Sequence, residues 1–459
     1  MSPKHLRTAS RRHFLQFLAA GPLLSPTGAA TLAEELRPRP ADPIAWALRD
    51  LDALITDPKQ ALDVFDFEPV AHKNLPPAHY GYMATGADGA VTLRTNREGF
   101  FRLQLRPRRL IDVGTDRHEV EILGTNYDSP IIIAPTGSNR AFHPDGELAI
   151  ARAARPGDYL QILSTVATTS IEDAIAARGA PVWFQLYPTD QWEVTEGLVK
   201  RAETAPAVVL TVDAIIDGNW ETLARMRRID TRQCGDCHGR TFRDFLAHRP
   251  NFDGLDLTAV KRLNRTDLNW VFVSRPRERV KGKLLLKGIL TQEDAVLATK
   301  PGIDAIIVSN HGGRFGDNGL ATIDALPEIV EAIGGQMPVL IDSGFRRGHR
   351  CRQGAGARRP ARFASDGLTY GGLPPLARVG SSGFSTSCAR RRTPRCSRSA
   401  PHRCTTLRPR WWGTPERHPR LSIDARRRAG EQPFVSLGTA PAGCFEVSKT
   451  LHVSVAILR

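Results

Sequence analysis

The sequence predicts an α/β fold built on a parallel sheet. Three observations carry this reading. Short apolar runs recur along the chain, most are followed by a stretch with helical periodicity, and one run ends in a polar, glycine-rich turn that bears an imidazole and a guanidinium. Strands that alternate with helices return in the same direction, which gives a parallel sheet.

The runs are, in order, PIIIAP, YLQILST, PVWFQLY, AVVLTVD, KLLLKGI, AIIVSN and PVLIDSG. The second is followed by TSIEDAIAARG, a helical pattern, and others are followed in the same way. Seven strands are countable, whereas a closed parallel barrel takes eight. The most informative segment is IIVSNHGGRFGD, residues 306–317. Ile306 to Val308 read as a buried strand, and the turn after it presents His311 and Arg314 three residues apart. Parallel α/β barrels place their chemistry at such strand ends. Taken alone, SNHGGR also fits an ordinary strand-to-helix turn whose glycines satisfy backbone geometry.

More than this turn is distinctive. LPPAHYGYMATGADGAVTLRTNREGF (75–100), IIIAPTGSNRAFHPDGELAIARAA (131–154), LSTVATTSIEDA (163–174), FQLY (184–187), LTVDA (210–214), LLLKGILTQEDA (284–295), SNHGGR and VLIDSGFRRG (339–348) follow one another along the chain. In these blocks and their order the chain resembles the FMN-dependent 2-hydroxy-acid dehydrogenases and oxidases, the glycolate oxidase and lactate/mandelate dehydrogenase family. The resemblance implies a (β/α)8 TIM barrel that carries FMN at its C-terminal mouth. It also implies oxidation of an L-2-hydroxy acid to the 2-oxo acid, with a small 2-hydroxy acid as partner and no nucleic acid. The electron acceptor is left open between oxygen, a quinone and a cytochrome, and a homo-oligomer is compatible with the family.

That chemistry needs a base, a grip on the carboxylate and an electron sink. His311 is the candidate base, because a neutral imidazole takes a proton near neutral pH. Asp213 matches the family's orienting carboxylate, although by itself it would read as a helix N-cap at a strand end. Arg314 is the candidate carboxylate grip, since a guanidinium fork binds a carboxylate bidentately. The resemblance gives Tyr82 a share of that task and gives Tyr187 a hydrogen bond to the substrate hydroxyl. Either tyrosine alone would pass for a half-buried core residue.

For the sink, Lys287 matches the lysine beside flavin N1 and the C2 oxygen, where a cation stabilises reduced flavin. Ser164, Gln185 and Thr211 match partners of the isoalloxazine ring, and the backbone of Ala134, Pro135 and Thr136 is expected at its edge. Asp342, Ser343, Gly344 and Arg346 match the ribityl and phosphate region. Two departures stand out. Trp220 occupies the place where the family usually has an arginine, which removes a cation from the substrate mouth. Val166 stands where a tryptophan is common, which opens the pocket.

The chain changes character near residue 349. His349 to Gly430 hold 19 Arg, no Lys and 3 acidic residues, a net charge of +16, while the whole chain carries +15. The remainder therefore sums to −1, and the basic charge belongs to the tail. Five of the seven cysteines also lie there. We read residues 349–459 as the product of a shifted reading frame. RFASDGLTYGGLPPLARVG back-translates, with a suitable codon choice, to a frame encoding LRIGRPDVWGLAAAGEGG, which resembles the family's phosphate-binding segment. On this reading the barrel is incomplete, its last strand and helix lost, and the tail is disordered. The rival to the frame shift is an Arg-rich arm that binds polyanions, and the alternative to an active enzyme is an inactive truncated family member produced by that shift.

At the other end, SRRHFL, the apolar run FLAAGPLL and the small residues TGAA read as a twin-arginine export signal over residues 1–30, hence a periplasmic protein. Residues 31–65 read as a linker with a short helix, and 66–348 as the FMN-binding barrel. CGDCH (Cys234, Cys237, His238) falls in a long insertion after the fourth strand. C-x-x-C-H is the c-type haem attachment pattern, but with no helical pocket or second axial ligand evident nearby the segment is read first as plain loop cysteines, then as a metal or disulfide site, and last as a haem site. No metal is assigned.

Overall fold

The computed structural model describes residues 55–105, 110, 119–215, 218–232, 241–300, 302–347, 350 and 351, with the backbone of 361–365. All lie within Met1–Pro409, the first of two compact units into which the chain divides. The export signal, all but the last residue of the helix expected near residues 43–55, CGDCH and nearly all of the Arg-rich tail fall outside these residues.

The chain enters through two short helices, α1 (Phe67–Asn74) and α2 (Pro77–Ala84), and then α3 (Val91–Glu98). A hairpin follows, β1 (Val120–Ile122) and β2 (Thr125–Tyr127), turned at Leu123 and Gly124, both with positive φ as a two-residue hairpin turn requires. The seven sequence-read strands then appear as β3 (Ile131–Ile133), β4 (Leu160–Ser164), β5 (Trp183–Leu186), β6 (Ala207–Thr211), β7 (Lys283–Ile289), β8 (Ala305–Val308) and β9 (Val339–Ile341). All pair in parallel, each with its successor in sequence.

Crossover helices cover the outside, and their ends explain their lengths. α4 (Gly146–Ala154) follows β3. In α5 (Ile171–Arg178) the Ser170 side chain accepts from Asp173 N, Glu172 and Asp173 sit in the positive first turn, and Gly179 ends the helix at φ 74. α6 (Trp192–Arg201), α10 (Gln292–Ala298) and α11 (Thr322–Ile333) complete the set. The insertion after β6 carries α7 (Glu221–Ile229), α8 (Phe242–Ala247) and α9 (Ser274–Arg279). A Cβ on Gly81 of α2 would lie 2.7 Å from Met226 Cβ, so the bare glycine lets α2 pack tightly on α7. This contact brings an N-terminal helix and the insertion together.

Side chains alternate across the sheet as a parallel barrel requires. Leu163, Phe184, Val208, Leu286, Ile306 and Ile341 face the helices, within the large outer core. Ile132, Ile162, Trp183, Val209, Leu285 and Ile307 fill the interior, and Ile122 and Tyr127 of the hairpin join them.

The position expected of the last strand is taken by a short segment of the tail. A tenth strand, β10 (Ala361–Ser365), pairs in parallel with β3 through Phe363↔Ile131 and with β9 through Arg362↔Leu340. The ring β10-β3-β4-β5-β6-β7-β8-β9 is thereby closed. The physical reason is that pairing is a backbone property. Two neighbouring edges offer unpaired N–H and C=O groups, and a short extended segment satisfies both whatever side chains it carries. The helix expected after this strand lies beyond the described residues. Among those residues no helix is long and apolar enough to cross a membrane, and no cluster of His, Cys, Asp and Glu could hold a metal.

Candidate active site

Along the barrel interior the inward positions switch from apolar to polar at the C-terminal strand ends. Ser164 ends β4, Gln185 lies in β5, Thr211 ends β6, Lys287 lies in β7, and Asp342 follows β9; all are buried. They are tied to one another. Ser164 Oγ donates to Gln185 Oε1 at 3.1 Å, and Gln185 Nε2 donates to Thr211 Oγ1 at 2.9 Å. Lys287 Nζ donates to Ser309 Oγ at 2.8 Å and pairs with Asp342 Oδ2 at 3.0 Å. Ser343 Oγ in turn donates to Asp342 Oδ1 at 2.9 Å.

The SNHGGR turn forms the next tier. His311 has φ 57, and Gly312 and Gly313 follow at 68° and 74°. A non-glycine residue in the left-handed region marks a turn held by its surroundings. Here Ser309 Oγ accepts from His311 N at 3.1 Å, and Ser343 Oγ accepts from Gly312 N at 3.1 Å. The imidazole is thereby aimed so that Nδ1 lies 2.8 Å from Asp213 Oδ1 and Nε2 lies 3.0 Å from the Tyr187 hydroxyl. An Nδ1–H donated to the carboxylate leaves Nε2 as an acceptor for the tyrosine O–H. Burial acts to raise the Asp213 pKa, but the charge and hydrogen bond of His311, with Lys287, outweigh it and hold the carboxyl below the usual range. Burial first, then the Asp213 charge, pushes the Tyr187 hydroxyl well above its ordinary value, so it stays a proton donor at neutral pH.

Arg314 is fixed from one side. Its Nη1 donates to the carbonyls of Tyr82 at 2.9 Å and Thr85 at 3.1 Å, and its guanidinium lies over the rings of Tyr82 and Trp220. Nη2 is buried and has no hydrogen-bond partner, as is true of Asp213 Oδ2. Natural proteins rarely leave such buried polar atoms unmatched, and these two lie beside the imidazole at the barrel mouth, where a ligand could satisfy them.

The structure therefore brings His311, Asp213, Tyr187, Tyr82 and Arg314 together above the polar ring. Ala134, Pro135 and Thr136 follow β3 directly, with Asn139 Nδ2 donating to Thr136 O at 3.0 Å. Gly137 packs against Val166, where a Cβ would sit 2.4 Å from Val166 Cγ2. Gly344 has φ 86, and a Cβ there would lie 2.0 Å from Asn96 O. Arg346 is buried with Nη1 on Phe345 O at 3.1 Å. Sequence reasoning missed Ser309, which braces both Lys287 and His311, and Asn310 and Asn96, which brace the turn. Adjacency to His311 was the available signal for Ser309 and Asn310; nothing local pointed to Asn96.

The donor set suits a flavin. Two hydroxyls, an amide and one ammonium line the barrel mouth, and the guanidinium and imidazole stand above them. Comparison with known proteins agrees. The FMN-dependent dehydrogenase family matches residues 71–353. The chain is 39% identical over 290 residues to an L-lactate oxidase of Lysinibacillus sphaericus (strain C3-41), covering 62% of this chain and 75% of the relative. It is 38% identical over 300 residues to glycolate oxidase 3 of Arabidopsis thaliana, covering 62% and 78%. A mandelate oxidase crystal structure with (S)-2-phenylpropionate superposes with a TM-score of 0.63 at 29% identity, covering 72% of this chain and 92% of the other. A mandelate oxidase variant with a C4a-OH-FMN adduct superposes at 0.62 and 30% identity, covering 71% and 92%. The chain belongs to the FMN-dependent dehydrogenase family, as an oxidoreductase related to the 2-hydroxy-acid oxidases with FMN as its cofactor.

Proposed function

We propose that this chain oxidises an L-2-hydroxy acid to the 2-oxo acid with the five mouth residues in distinct roles. Arg314 holds the substrate carboxylate through its unpartnered Nη2, with Tyr82 beside it. Tyr187 hydrogen-bonds the substrate hydroxyl. His311 accepts a proton at Nε2, and Asp213 holds the Nδ1 proton and stabilises the imidazolium that forms. FMN, when bound, supplies the sink for the two electrons. Ser164, Gln185, Thr211 and Lys287 would hold its ring, the backbone of 134–136 its edge, and Asp342, Ser343, Gly344 and Arg346 its ribityl and phosphate region.

The observation that carries this reading is the imidazole held between Asp213 at 2.8 Å and Tyr187 at 3.0 Å, beside an arginine with an unpartnered donor. The test is anaerobic. Protein loaded with FMN is mixed with L-lactate, glycolate or L-mandelate, and bleaching of the flavin absorbance is followed. His311→Ala should keep FMN and slow bleaching by about 10²–10⁴-fold, the usual loss for one acid–base group. Bleaching at the wild-type rate would place the base elsewhere.

Three finer proposals rest on sequence. Residues 1–30 direct twin-arginine export, so the protein works in the periplasm; a fusion of this segment to a reporter should reach the periplasm only while Arg11 and Arg12 are intact. The reading frame shifts near codon 348, which the switch to 19 Arg and no Lys supports. Restoring the other frame should tighten FMN binding. The final acceptor is oxygen, a quinone or a cytochrome, and oxygen uptake set against dye reduction separates the first from the others.

A further inference from the structure

The wall beside the base and the arginine is apolar, and it is assembled from separated parts of the chain. The Arg314 guanidinium carbon lies 4.8 Å from the Tyr82 ring centroid and 4.9 Å from that of Trp220. Trp220 is fixed by its indole N–H, which donates to Arg314 O at 2.8 Å, and its ring meets those of Tyr82 and Phe315 edge-on. Phe315 stands edge-on to the His311 imidazole, with centroids 4.6 Å apart. Behind it, buried Val166, Tyr187 and Ala214 pack with partly buried Phe245, Leu263 and Phe315. Phe245 and Leu263 come from the insertion after β6.

Among the described residues, the charged groups beside this wall are largely engaged. His311 and Asp213 hold each other, and Arg314 has one open donor atom. Arg249 stacks on Phe245 at 4.2 Å, but its Nη2 donates to Ser138 Oγ at 2.9 Å and its Nη1 to His248 O at 3.2 Å. Among the described residues the wall offers no cation besides Arg314 to a second carboxylate on the substrate, which would lose its water against ring faces. A phenyl or branched alkyl group would remove Trp220, Phe315 and Phe245 from water, while a hydrogen or methyl would leave them wet.

From this we infer that the site selects 2-hydroxy monocarboxylates with an aromatic or large apolar substituent, and that Trp220 determines this specificity. The inference rests on the proposed oxidation. FMN-loaded protein should show kcat/KM for L-mandelate at least about tenfold above that for L-lactate, with glycolate and L-malate lower still, since apolar contacts discriminate by roughly 10–200-fold. Trp220→Arg should narrow the mandelate preference by about tenfold and raise L-malate turnover, because it adds a cation. Trp220→Phe keeps the apolar wall without the indole hydrogen bond and should keep the preference, which separates specificity from damage to the fold. Binding of substrate-like acids that lack the hydroxyl is read independently, by titration calorimetry: 2-phenylpropionate should bind more tightly than propionate, and the difference should shrink in Trp220→Arg. Lactate or malate used as well as mandelate, or a preference unmoved by Trp220→Arg, overturns the inference and leaves the oxidation standing. No turnover of any hydroxy acid overturns the oxidation, and the two binding titrations still decide the specificity.

Discussion

His311 carries the site's geometry at the scale of single residues. Its left-handed backbone costs of order 1–3 kcal/mol in isolation, and the brace of Ser309 and Ser343 maintains it. The Asp213 contact has a pH consequence. Its carboxyl is held below the usual carboxylate range in the folded state, so the stabilisation is complete above the unfolded value and is lost as pH falls through the folded one. The Tm difference between the wild type and Asp213→Asn should therefore narrow as the buffer is taken from about pH 6 to about pH 3. A difference that widens on acidification would show that Asp213 is not held ionised. Arg314→Lys keeps a charge but loses the planar fork. It should lower kcat/KM by about 10- to 150-fold, the equivalent of about 1.5–3 kcal/mol for one charge-assisted hydrogen bond. Equal losses for hydroxy acids and the matching alcohols would show that Arg314 does not read the carboxylate.

Two devices act at the scale of elements. In β7 the pairing with β8 slips between Lys287 and Ile289, and Gly288 takes up the irregularity at φ 114. A Cβ there would lie 2.6 Å from Asp213 Cβ, so the bare glycine lets the carboxylate sit beside the Lys287 strand. Gly288→Ala should lower both Tm and the rate of flavin reduction, whereas an ordinary bulge mutant would lower Tm alone. The second device links α3 to the turn after β8. The Asn96 and Asn310 amides exchange hydrogen bonds at 2.8 and 2.7 Å while buried, and Asn310 Oδ1 also accepts from Gly313 N at 3.2 Å. Asn96→Leu leaves the Asn310 amide short of a partner, at a cost of about 1–3 kcal/mol by denaturant unfolding. It should also slow flavin reduction, because the turn that Asn310 braces carries His311.

At the scale of the molecule the ring depends on five residues of a segment whose composition is otherwise foreign to the rest. β10 satisfies the edges of β3 and β9 together. A chain ended after Ser365 should stay soluble and monodisperse by size exclusion. One ended at Arg350 should aggregate through the two bared edges. If both behave alike, closure by β10 does not govern solubility. Charge divides along the same line: +16 lies in 349–430 and −1 in the rest, so retention on a cation exchanger should fall sharply on truncation at Ser365.

The seven inner strands and the crossover order were legible in the sequence, because parallel strands buried on both faces are written as continuous apolar runs, whereas most of the mouth residues were legible only through the family resemblance. SNHGGR by itself offered His311 and Arg314, while the resemblance alone paired Asp213 with His311. The geometry of that pair was not legible. Asp213 and His311 are 98 positions apart, and only the ring of strands sets Oδ1 and Nδ1 at 2.8 Å. The same holds for Trp220, which the sequence offered as a missing cation. The fold made it one of two rings, set edge-on to each other, that flank the Arg314 guanidinium, since the packing of α2 on α7 joins segments far apart in the chain. The eighth strand was illegible for a different reason. Its place is secured by backbone hydrogen bonds to β3 and β9, and these leave no signature in side-chain composition.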